Sequence, residues 1–162
     1  MQLIVGLGNP GKQYENTRHN VGYIVIEELK KRKLPKSVVA KKTGVYMNES
    51  GKAVKKLTTD YRLLTTALYV VHDDLDIPLG QFKIQFAKGP KDHKGIQSIE
   101  ETLGTNEFWR VRVGIENRGQ VTGNREKGEE YVLQDWTSEE RTIIDAVIKE
   151  VVREITRRIR EA

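Results

Sequence analysis

The start of the chain shows two hydrophobic patterns in turn, a short apolar run and then a helical spacing of apolar residues. Gln2–Leu7 is a short apolar run that enters the glycine- and proline-rich segment Gly6–Gly11, and this pattern predicts a strand followed by a loop. From about Asn20 the apolar residues recur at steps of three and four, which predicts a helix. The pair Leu34-Pro35 is expected to end that helix.

Weaker patterns fill the chain up to residue 76. The hydrophobic pattern of residues 37–47 weakly predicts a strand, and Ser50 is expected to cap the helix that follows. Ala67–Val71 has the composition of a buried strand. The acidic segment His72–Asp76 follows directly, and we expect it to form a loop at the carboxyl end of that strand.

Clearer alternation returns in the second half of the chain. Phe82–Phe86 alternates apolar and polar residues, which predicts a strand. A polar loop over residues 87–95 leads to a predicted helix over Ile96–Leu103, which Gly104 is expected to end. Arg110–Glu116 alternates again and predicts another strand.

A long amphipathic helix is predicted near the C-terminus. Thr137 and Glu140 have the spacing of a capping box, which marks a helix start. Before it, Gly119–Gly128 has the composition of a mobile polar connection. The apolar stripe of the helix consists of Ile144, Val147, Ile148, Val151, Ile155 and Ile159.

This order of elements predicts the fold class. Strands alternate with helices, and neither a repeat nor a linker divides the sequence. We therefore expect one α/β domain over residues 1–162, with three layers and a mixed, mainly parallel central sheet flanked by helices. Ligands in such sheets collect beyond the carboxyl ends of the strands, where the glycine loop and the acidic segment are both expected.

The amino-acid composition excludes several classes of protein and of functional site. The chain has 162 residues, 37% of them hydrophobic and 31% charged, which is typical of a globular domain. It contains no cysteine, which excludes disulfides, thiolate metal sites and a cysteine nucleophile. Apolar runs fall short of the roughly 20 residues that span a bilayer, and the N-terminal run is too short for a signal peptide. We expect a cytoplasmic protein without a membrane partner.

Positive charge is concentrated towards the N-terminus. Residues 1–56 hold 12 Lys and Arg against 4 Asp and Glu, whereas the whole chain has a net charge of +5. Such an excess suggests a polyanionic partner, because lysines release counterions when they bind phosphates. A solvated surface remains an alternative, and the basic run Lys30–Lys33 also suits the end of a helix, where cations complement the helix dipole.

The glycine loop admits a dinucleotide hypothesis. Gly6, Gly8 and Gly11 match the G-x-G-x-x-G fingerprint after a strand. Two features oppose it: the residues after Pro10 imply a longer loop, and the acidic residues at the required distance, near Glu27, fall inside the predicted helix.

His19 is the candidate general base. It lies in a polar loop–helix junction beside a strand end, and a neutral imidazole with a pKa near ~6.5 accepts protons at cellular pH. A carboxylate bonded to its other ring nitrogen would fix the tautomer, and Asp73 is the natural candidate. The serines lack a Gly-x-Ser-x-Gly elbow, so water activated by a base is the simpler chemistry.

The acidic segment His72–Asp76 is compatible with either a metal site or a turn. Clustered aspartates at a strand end are typical of hard-metal sites in phosphotransfer enzymes, so Asp74 and Asp76 are candidate metal ligands. Equally, these two residues suit a turn before Pro78 and Gly80.

Taken together, the motifs resemble the bacterial-type peptidyl-tRNA hydrolase family. They occur in family order over nearly the whole chain, and the ordered set is far more specific than any single motif. The set comprises Gly6–Gly11, Tyr14, Thr17–Asn20, Tyr46–Asn48, Ser50-Gly51, His72-Asp73, Leu75-Asp76, Gly80, Phe108, Arg110, Arg112, Gly114-Ile115 and Tyr131–Leu133.

The resemblance implies a monomeric α/β esterase that cleaves peptide from the 3′ ribose of tRNA, without metal, cofactor or obligate protein partner. Its substrate is peptidyl-tRNA, bound by the acceptor arm and the 3′ end. Carried over by position, His19 is the general base and Asp73 orients it. Asn9 contacts the substrate near the ester and helps to select peptidyl or N-blocked substrates over free aminoacyl-tRNA. The other implied contacts are Tyr14, Tyr46 and Asn48 at the substrate site, with Asn48 as an oxyanion donor, and Lys83 and Arg112 on tRNA.

Two segments depart from the family pattern. The family's Gly-Gly-His-Asn-Gly segment is replaced by a loop over residues 87–95 with three lysines, and Lys94 stands where the family has a substrate-contacting asparagine. Lysine donates but cannot accept, so it either holds a phosphate at the 3′ end or weakens peptide positioning. Residues 34–46 are also shorter than the usual hairpin. The alternative function is therefore a catalytically impaired tRNA-binding or ribosome-associated module of the same fold.

Overall fold

The computed structural model describes residues 1–118 and 127–161. The predicted connection over residues 119–128 lies mostly outside them. The strands are β1 (Gln2–Gly6), β2 (Val38–Lys42), β3 (Leu68–Pro78), β4 (Phe82–Phe86) and β5 (Trp109–Glu116). The helices are α1 (Val21–Lys30), α2 (Ser50–Asp60), α3 (Lys94–Leu103), α4 (Gly128–Val132) and α5 (Ser138–Glu161). Short 3₁₀ turns cover Lys12–Tyr14, Arg18–Asn20, Met47–Glu49 and Thr65–Ala67.

The five strands form one mixed sheet in the order β2-β1-β3-β5-β4. All neighbouring pairs are parallel except β4 with β5, which is antiparallel. Helices α1 and α5 pack on one face around Val25, Ile144 and Val151, and α2 and α3 cover the other face around Val54 and Ile99. The predicted three-layer α/β architecture is confirmed.

Two glycines let α1 approach the sheet closely. A Cβ atom on Gly22 would lie 2.5 Å from the carbonyl oxygens of both Leu7 and Val71. Gly6 faces the backbone of Gly22, and a Cβ there would also overlap it. The first turn of α1 therefore lies against the ends of β1 and β3, and the residues just before it lie at the carboxyl edge of the sheet.

Five predictions about elements or their boundaries were wrong. The strand predicted over residues 37–47 covers only Val38–Lys42. The acidic segment is not a loop, because β3 continues to Pro78 and pairs with β5 past a bulge after Asp74. Helix α1 ends at Lys30 and does not reach the Leu34-Pro35 pair. Ser50 is the first helical residue and not a cap: its Oγ donates to the Met47 carbonyl over 2.6 Å. Helix α3 begins at Lys94, capped by His93.

The predicted capping box is confirmed at the start of α5. Glu140 accepts a hydrogen bond from the Thr137 backbone N–H over 3.0 Å, and the Glu140 N–H donates to Thr137 Oγ1 over 3.2 Å. All six predicted stripe residues of α5 are buried. Within the described part of the chain, none of the helices combines the length and apolar composition that a bilayer span requires.

Candidate active site

The carboxyl edge of the sheet gathers residues from four separate segments. The end of β1 leads to Asn9, the 3₁₀ turn before α1 carries His19, β3 carries Asp73, and the loop before α3 carries His93. Parallel strands direct their carboxyl ends to one edge, so residues distant in sequence meet there.

His19 and Asp73 are hydrogen-bonded, as expected from their predicted placement at the same edge of the sheet. His19 Nδ1 lies 2.8 Å from Asp73 Oδ2, and since the carboxylate can only accept, Nδ1 carries the proton. His19 Nε2 has no hydrogen-bond partner among the described residues and is not one of the buried unpaired atoms, so it is open to solvent. The exposed nitrogen is therefore the one with a free lone pair.

The environment adjusts the basicity of His19. Burial lowers its pKa, but the charge and hydrogen bond of Asp73 raise it by more, so the pKa of His19 lies above its usual value of 6.5. The charge of Lys94 acts in the lowering direction. Burial also opposes ionisation of Asp73, yet His19 and His93 together hold the pKa of that carboxyl well below its usual range. Asp73 is therefore a permanent anion beneath His19.

His93 completes the support of Asp73, and the sequence reasoning missed it. Its Nε2 lies 2.9 Å from Asp73 Oδ1, while its Nδ1 accepts from the backbone N–H groups of Gly95 and Ile96 at 3.1 and 3.2 Å. Because Nδ1 is an acceptor, Nε2 carries the proton and donates to Asp73. The one available signal was the position of His93 in the family's Gly-Gly-His-Asn-Gly segment.

His72 is a third imidazole beneath the site. It is fully buried, its Nδ1 bonds the Asp73 carbonyl oxygen over 2.8 Å, and its ring packs 5.0 Å from the ring of His93. Burial, with the nearby His93, lowers the pKa of His72 to about 3. His72 is thus a neutral packing group that holds the backbone of Asp73.

Three groups here have metal-ligating atoms within 4.8 Å of one another: His19, Asp73 and His93. A metal would need the lone pair of His93 Nε2, but this nitrogen holds the proton because two backbone N–H groups occupy Nδ1. The same proton already bonds Asp73. The arrangement fits a hydrogen-bonded chain of side chains better than a metal site.

The aspartates of the metal hypothesis have other partners. Asp74 Oδ2 accepts from Arg112 Nε over 2.7 Å, and its Oδ1 accepts from the Asp76 backbone N–H over 2.8 Å. Asp76 accepts from the Lys91 backbone N–H. These contacts match the alternative in which the two carboxylates organise the local backbone.

Asn9 is held in one orientation. Its side-chain oxygen accepts from the Met47 backbone N–H over 2.8 Å, so its amide NH₂ is left to donate. Asn20 bonds both the N–H and the carbonyl of Asn9, at 2.8 and 2.9 Å. Asn20 was part of the motif but not among the predicted site residues, and the structure shows it clamping the backbone of Asn9.

Two predicted substrate residues pack together beside Asn9. The rings of Tyr14 and Tyr46 meet edge to face with centroids 6.4 Å apart. Tyr46 is half exposed, and the neighbouring Asn48 is exposed without a hydrogen-bond partner among the described residues. The substrate contacts assigned to these three side chains therefore stay predictions.

The predicted basic residues fall into different environments. Lys83 and Lys94 are exposed, the first on the edge strand β4 and the second at the start of α3. Arg112 is only 7% exposed and points inward, because Asp74 and Gln85 bind its Nε and Nη1. Its contact with tRNA stays a prediction, limited to the guanidinium edge that faces a cavity of about 650 Å³ lined also by Lys88 and Lys91.

The glycine fingerprint has a packing role here. Gly8 lies against the ring of Tyr23, as Gly6 lies against Gly22. Helix α1 begins only at Val21, after two 3₁₀ turns, so no helix N-terminus follows Gly11 as a dinucleotide site requires. This geometry argues against the dinucleotide hypothesis.

Comparison with known proteins decides the family. The family model described as peptidyl-tRNA hydrolase matches residues 3–162. The chain belongs to the peptidyl-tRNA hydrolase family. Its similarity to individual members extends over almost the whole length of both chains, so the resemblance inferred from the motifs is confirmed.

Two bacterial relatives and one solved structure illustrate this similarity. The peptidyl-tRNA hydrolase of Aquifex aeolicus is 40% identical over 98% of this chain and 90% of its own length. That of Thermodesulfovibrio yellowstonii is 41% identical over 96% of this chain and 90% of its own. A crystal structure of a mutant peptidyl-tRNA hydrolase from Acinetobacter baumannii superposes with a TM-score of 0.81 at 29% identity, covering 96% of this chain and 87% of that one.

Proposed function

We propose that this member of the peptidyl-tRNA hydrolase family hydrolyses the ester between a peptide and the 3′ ribose of tRNA, with water activated by His19. The observation that carries the proposal is the chain of hydrogen bonds from His93 through Asp73 to His19, which leaves His19 Nε2 open to solvent. A neutral imidazole held in this tautomer accepts a proton from water.

The reaction needs one proton shuttle. His19 Nε2 takes a proton from water as the water oxygen attacks the ester carbonyl carbon, and the carbonyl oxygen becomes an oxyanion. When the intermediate collapses, the bond to the ribose 3′ oxygen breaks, and the leaving oxygen takes the proton back from His19. Asp73, permanently charged, stabilises the imidazolium between the two steps. An oriented base of this kind contributes about 10²–10⁴ in rate.

The amides beside His19 supply hydrogen-bond donors to the substrate. We assign the free NH₂ of Asn9 to the substrate near the scissile ester, because the Asn9 oxygen is already bound to the Met47 N–H. We assign to Asn48 the donation of a hydrogen bond to the oxyanion, because its side chain is exposed and has no partner among the described residues. Loss of one such donor typically costs about 3–4 kcal/mol. Tyr14 and Tyr46 provide the wall for the peptide portion.

The tRNA is held by phosphate contacts and by shape. Lys83 on the edge strand and Lys94 at the start of α3 are exposed cations, and Arg112 lines the cavity beside Lys88 and Lys91. Such contacts bind the acceptor arm and the 3′ end without reading sequence. In this arrangement Lys94 holds a phosphate near the 3′ end, and so takes a different role from the amide it replaces.

A cleavage assay with N-acetylated aminoacyl-tRNA tests the proposal. The wild type should release N-acetyl amino acid equally with and without EDTA. His19→Ala should lose about 10²–10⁴ in turnover with little change in tRNA affinity. Glu15→Ala, at an exposed position four residues earlier, should behave as the wild type. Wild-type turnover by His19→Ala refutes the mechanism, and tRNA binding without cleavage by the wild type identifies the impaired binding module.

We further propose that the protein acts as a monomer in the cytoplasm. Every group assigned to the reaction, from Asn9 to Lys94, comes from one chain, so the site needs no second subunit. Sedimentation velocity at assay concentration checks this, and an obligate dimer would contradict it.

A further inference from the structure

Arg18 is a buried cation directly before the base His19. It is 4% exposed, and its guanidinium bonds Glu140 Oε1 over 2.7 Å, the Tyr131 carbonyl over 2.9 Å and Gln134 Oε1 over 3.2 Å. It also lies 3.8 Å from the centre of the Tyr131 ring. The reaction assigned to this site does not use Arg18, so the proposed chemistry does not explain why Arg18 makes so many contacts.

Glu140 receives donors from several elements at once. Besides Arg18 and the Thr137 N–H of the capping box, its carboxylate accepts from Asn117 Nδ2 over 3.1 Å and lies 3.2 Å from the Tyr131 hydroxyl. Burial favours the neutral acid, but these donors hold the pKa of Glu140 below its ordinary value. A charged carboxylate at 3% exposure is therefore fully compensated by its partners.

The backbone reinforces the same connection. The Arg18 N–H donates to the Gln134 carbonyl, and the Trp136 N–H donates to the Asn16 carbonyl, both over 3.1 Å. Thr17 and Asp135 form an isolated antiparallel bridge between these two bonds. The turn that carries His19 is thus fastened to the segment that enters α5, through both main chain and side chains.

We infer that the buried Arg18–Glu140 ion pair is a positioning device for His19. Asp73 reaches the site on β3, so its distance from His19 depends on where the turn at residues 18–20 is held. The ion pair fixes that turn against the N-terminus of α5, and Arg18 and Glu140 act through His19 without touching the substrate. This inference rests on the proposed function for its kinetic consequence alone. A displacement of about 1 Å can cost about 100-fold in rate.

Glu140→Gln tests the inference, since it keeps the shape and removes the charge. We expect kcat on N-acetylated aminoacyl-tRNA to fall about 10- to 100-fold with KM within about twofold. The pKa of His19, followed by NMR, should also fall, because a looser contact with Asp73 removes the interaction that raises it. Arg18→Lys, which retains charge but not the planar fork, should show the same changes more weakly.

The control separates positioning from stability. Val151→Ala, in the core face of α5, loses folding stability through the same helix without touching the ion pair. It should lower Tm but leave kcat and the pKa of His19 unchanged at temperatures where it is folded. The inference is overturned if folded Glu140→Gln retains the wild-type kcat and the wild-type pKa of His19. It is also overturned if Val151→Ala, with the same loss of Tm, lowers kcat and the pKa of His19 as much as Glu140→Gln does. If Glu140→Gln does not fold, Arg18→Lys decides by the same criteria. An inactive wild type refutes the proposed function, while the NMR pKa still tests the positioning.

Discussion

His93 donates its Nε2 proton to Asp73 over 2.9 Å and caps α3 with its other ring nitrogen. One side chain therefore links the start of a helix to the carboxylate that supports His19. Each carboxylate oxygen of Asp73 accepts a hydrogen bond from a different histidine, so neither oxygen is left without a donor in the buried site.

Replacing Asp73 by Asn should disable the base. The variant keeps the shape but loses the charge that raises the pKa of His19, leaving burial and Lys94, which both lower it. We expect kcat to fall by about 10²–10⁴ and the pKa of His19 to drop to or below 6.5, measured by steady-state kinetics and NMR titration. Asp92→Asn, in the exposed loop nearby, is the control and should change neither quantity.

The pH dependence of kcat/KM should report the pKa of His19. The base is active when neutral and its pKa is raised, so activity should be half lost at a pH above 6.5 and level off at higher pH. Lys94→Asn removes a charge that lowers this pKa, so the midpoint should move to still higher pH. Lys88→Asn is the matched loop control, and an equal shift from both variants would rule out a specific effect of Lys94.

Substitution of His93 can separate its two roles. Asn is a good helix cap but too short to bond Asp73 as the imidazole does, so His93→Asn should retain the cap of α3 and lose the second support of Asp73. His93→Ala should lose both, at an additional cost of about 1 kcal/mol in the free energy of unfolding. Chemical denaturation and kcat measure the two effects, and equal stability of the two variants would contradict the capping role.

Asn9→Asp tests the direction in which Asn9 is held. The carboxylate can still accept from the Met47 N–H but has no NH₂ to donate, so the fold should persist while the substrate contact is lost. We expect a lower kcat/KM for N-acetylated substrate and a smaller preference over free aminoacyl-tRNA. Comparing the two substrates measures it, and an unchanged preference would show that the Asn9 NH₂ does not contribute.

Gly22→Ala should destabilise the whole domain. The added Cβ would meet two carbonyl oxygens of the backbone at 2.5 Å, where no flexible side chain can yield. We expect a loss of about 1–3 kcal/mol in unfolding free energy and a lower Tm, because α1 must move off the sheet. Gly44→Ala, in open space but at a positive φ of 70°, is a control for the loss of glycine as such.

Much of this protein could be predicted from the sequence because the signals are local. Apolar runs and period-two alternation predicted the strands, and apolar residues at steps of three and four predicted the longer helices, though not the short helix α4. The Thr137–Glu140 pair marked the start of α5. His19 and Asp73 were paired from a general property of parallel sheets, that strand ends share an edge. The hypotheses about their roles followed from side-chain chemistry and from resemblance to a family.

Apart from the His19–Asp73 pair, the contacts between residues distant in sequence were decided by the tertiary structure. His93 and Asp73 are 20 residues apart, and Arg18 and Glu140 are 122 apart, so no local pattern links them. Arg112 occupies a polar position in an alternating strand, which is typical of a surface residue, yet its guanidinium is buried because it binds Asp74. Sequence sets which groups can ionise or donate, whereas burial and partner geometry, which exist only after the layers have packed, set which of them do.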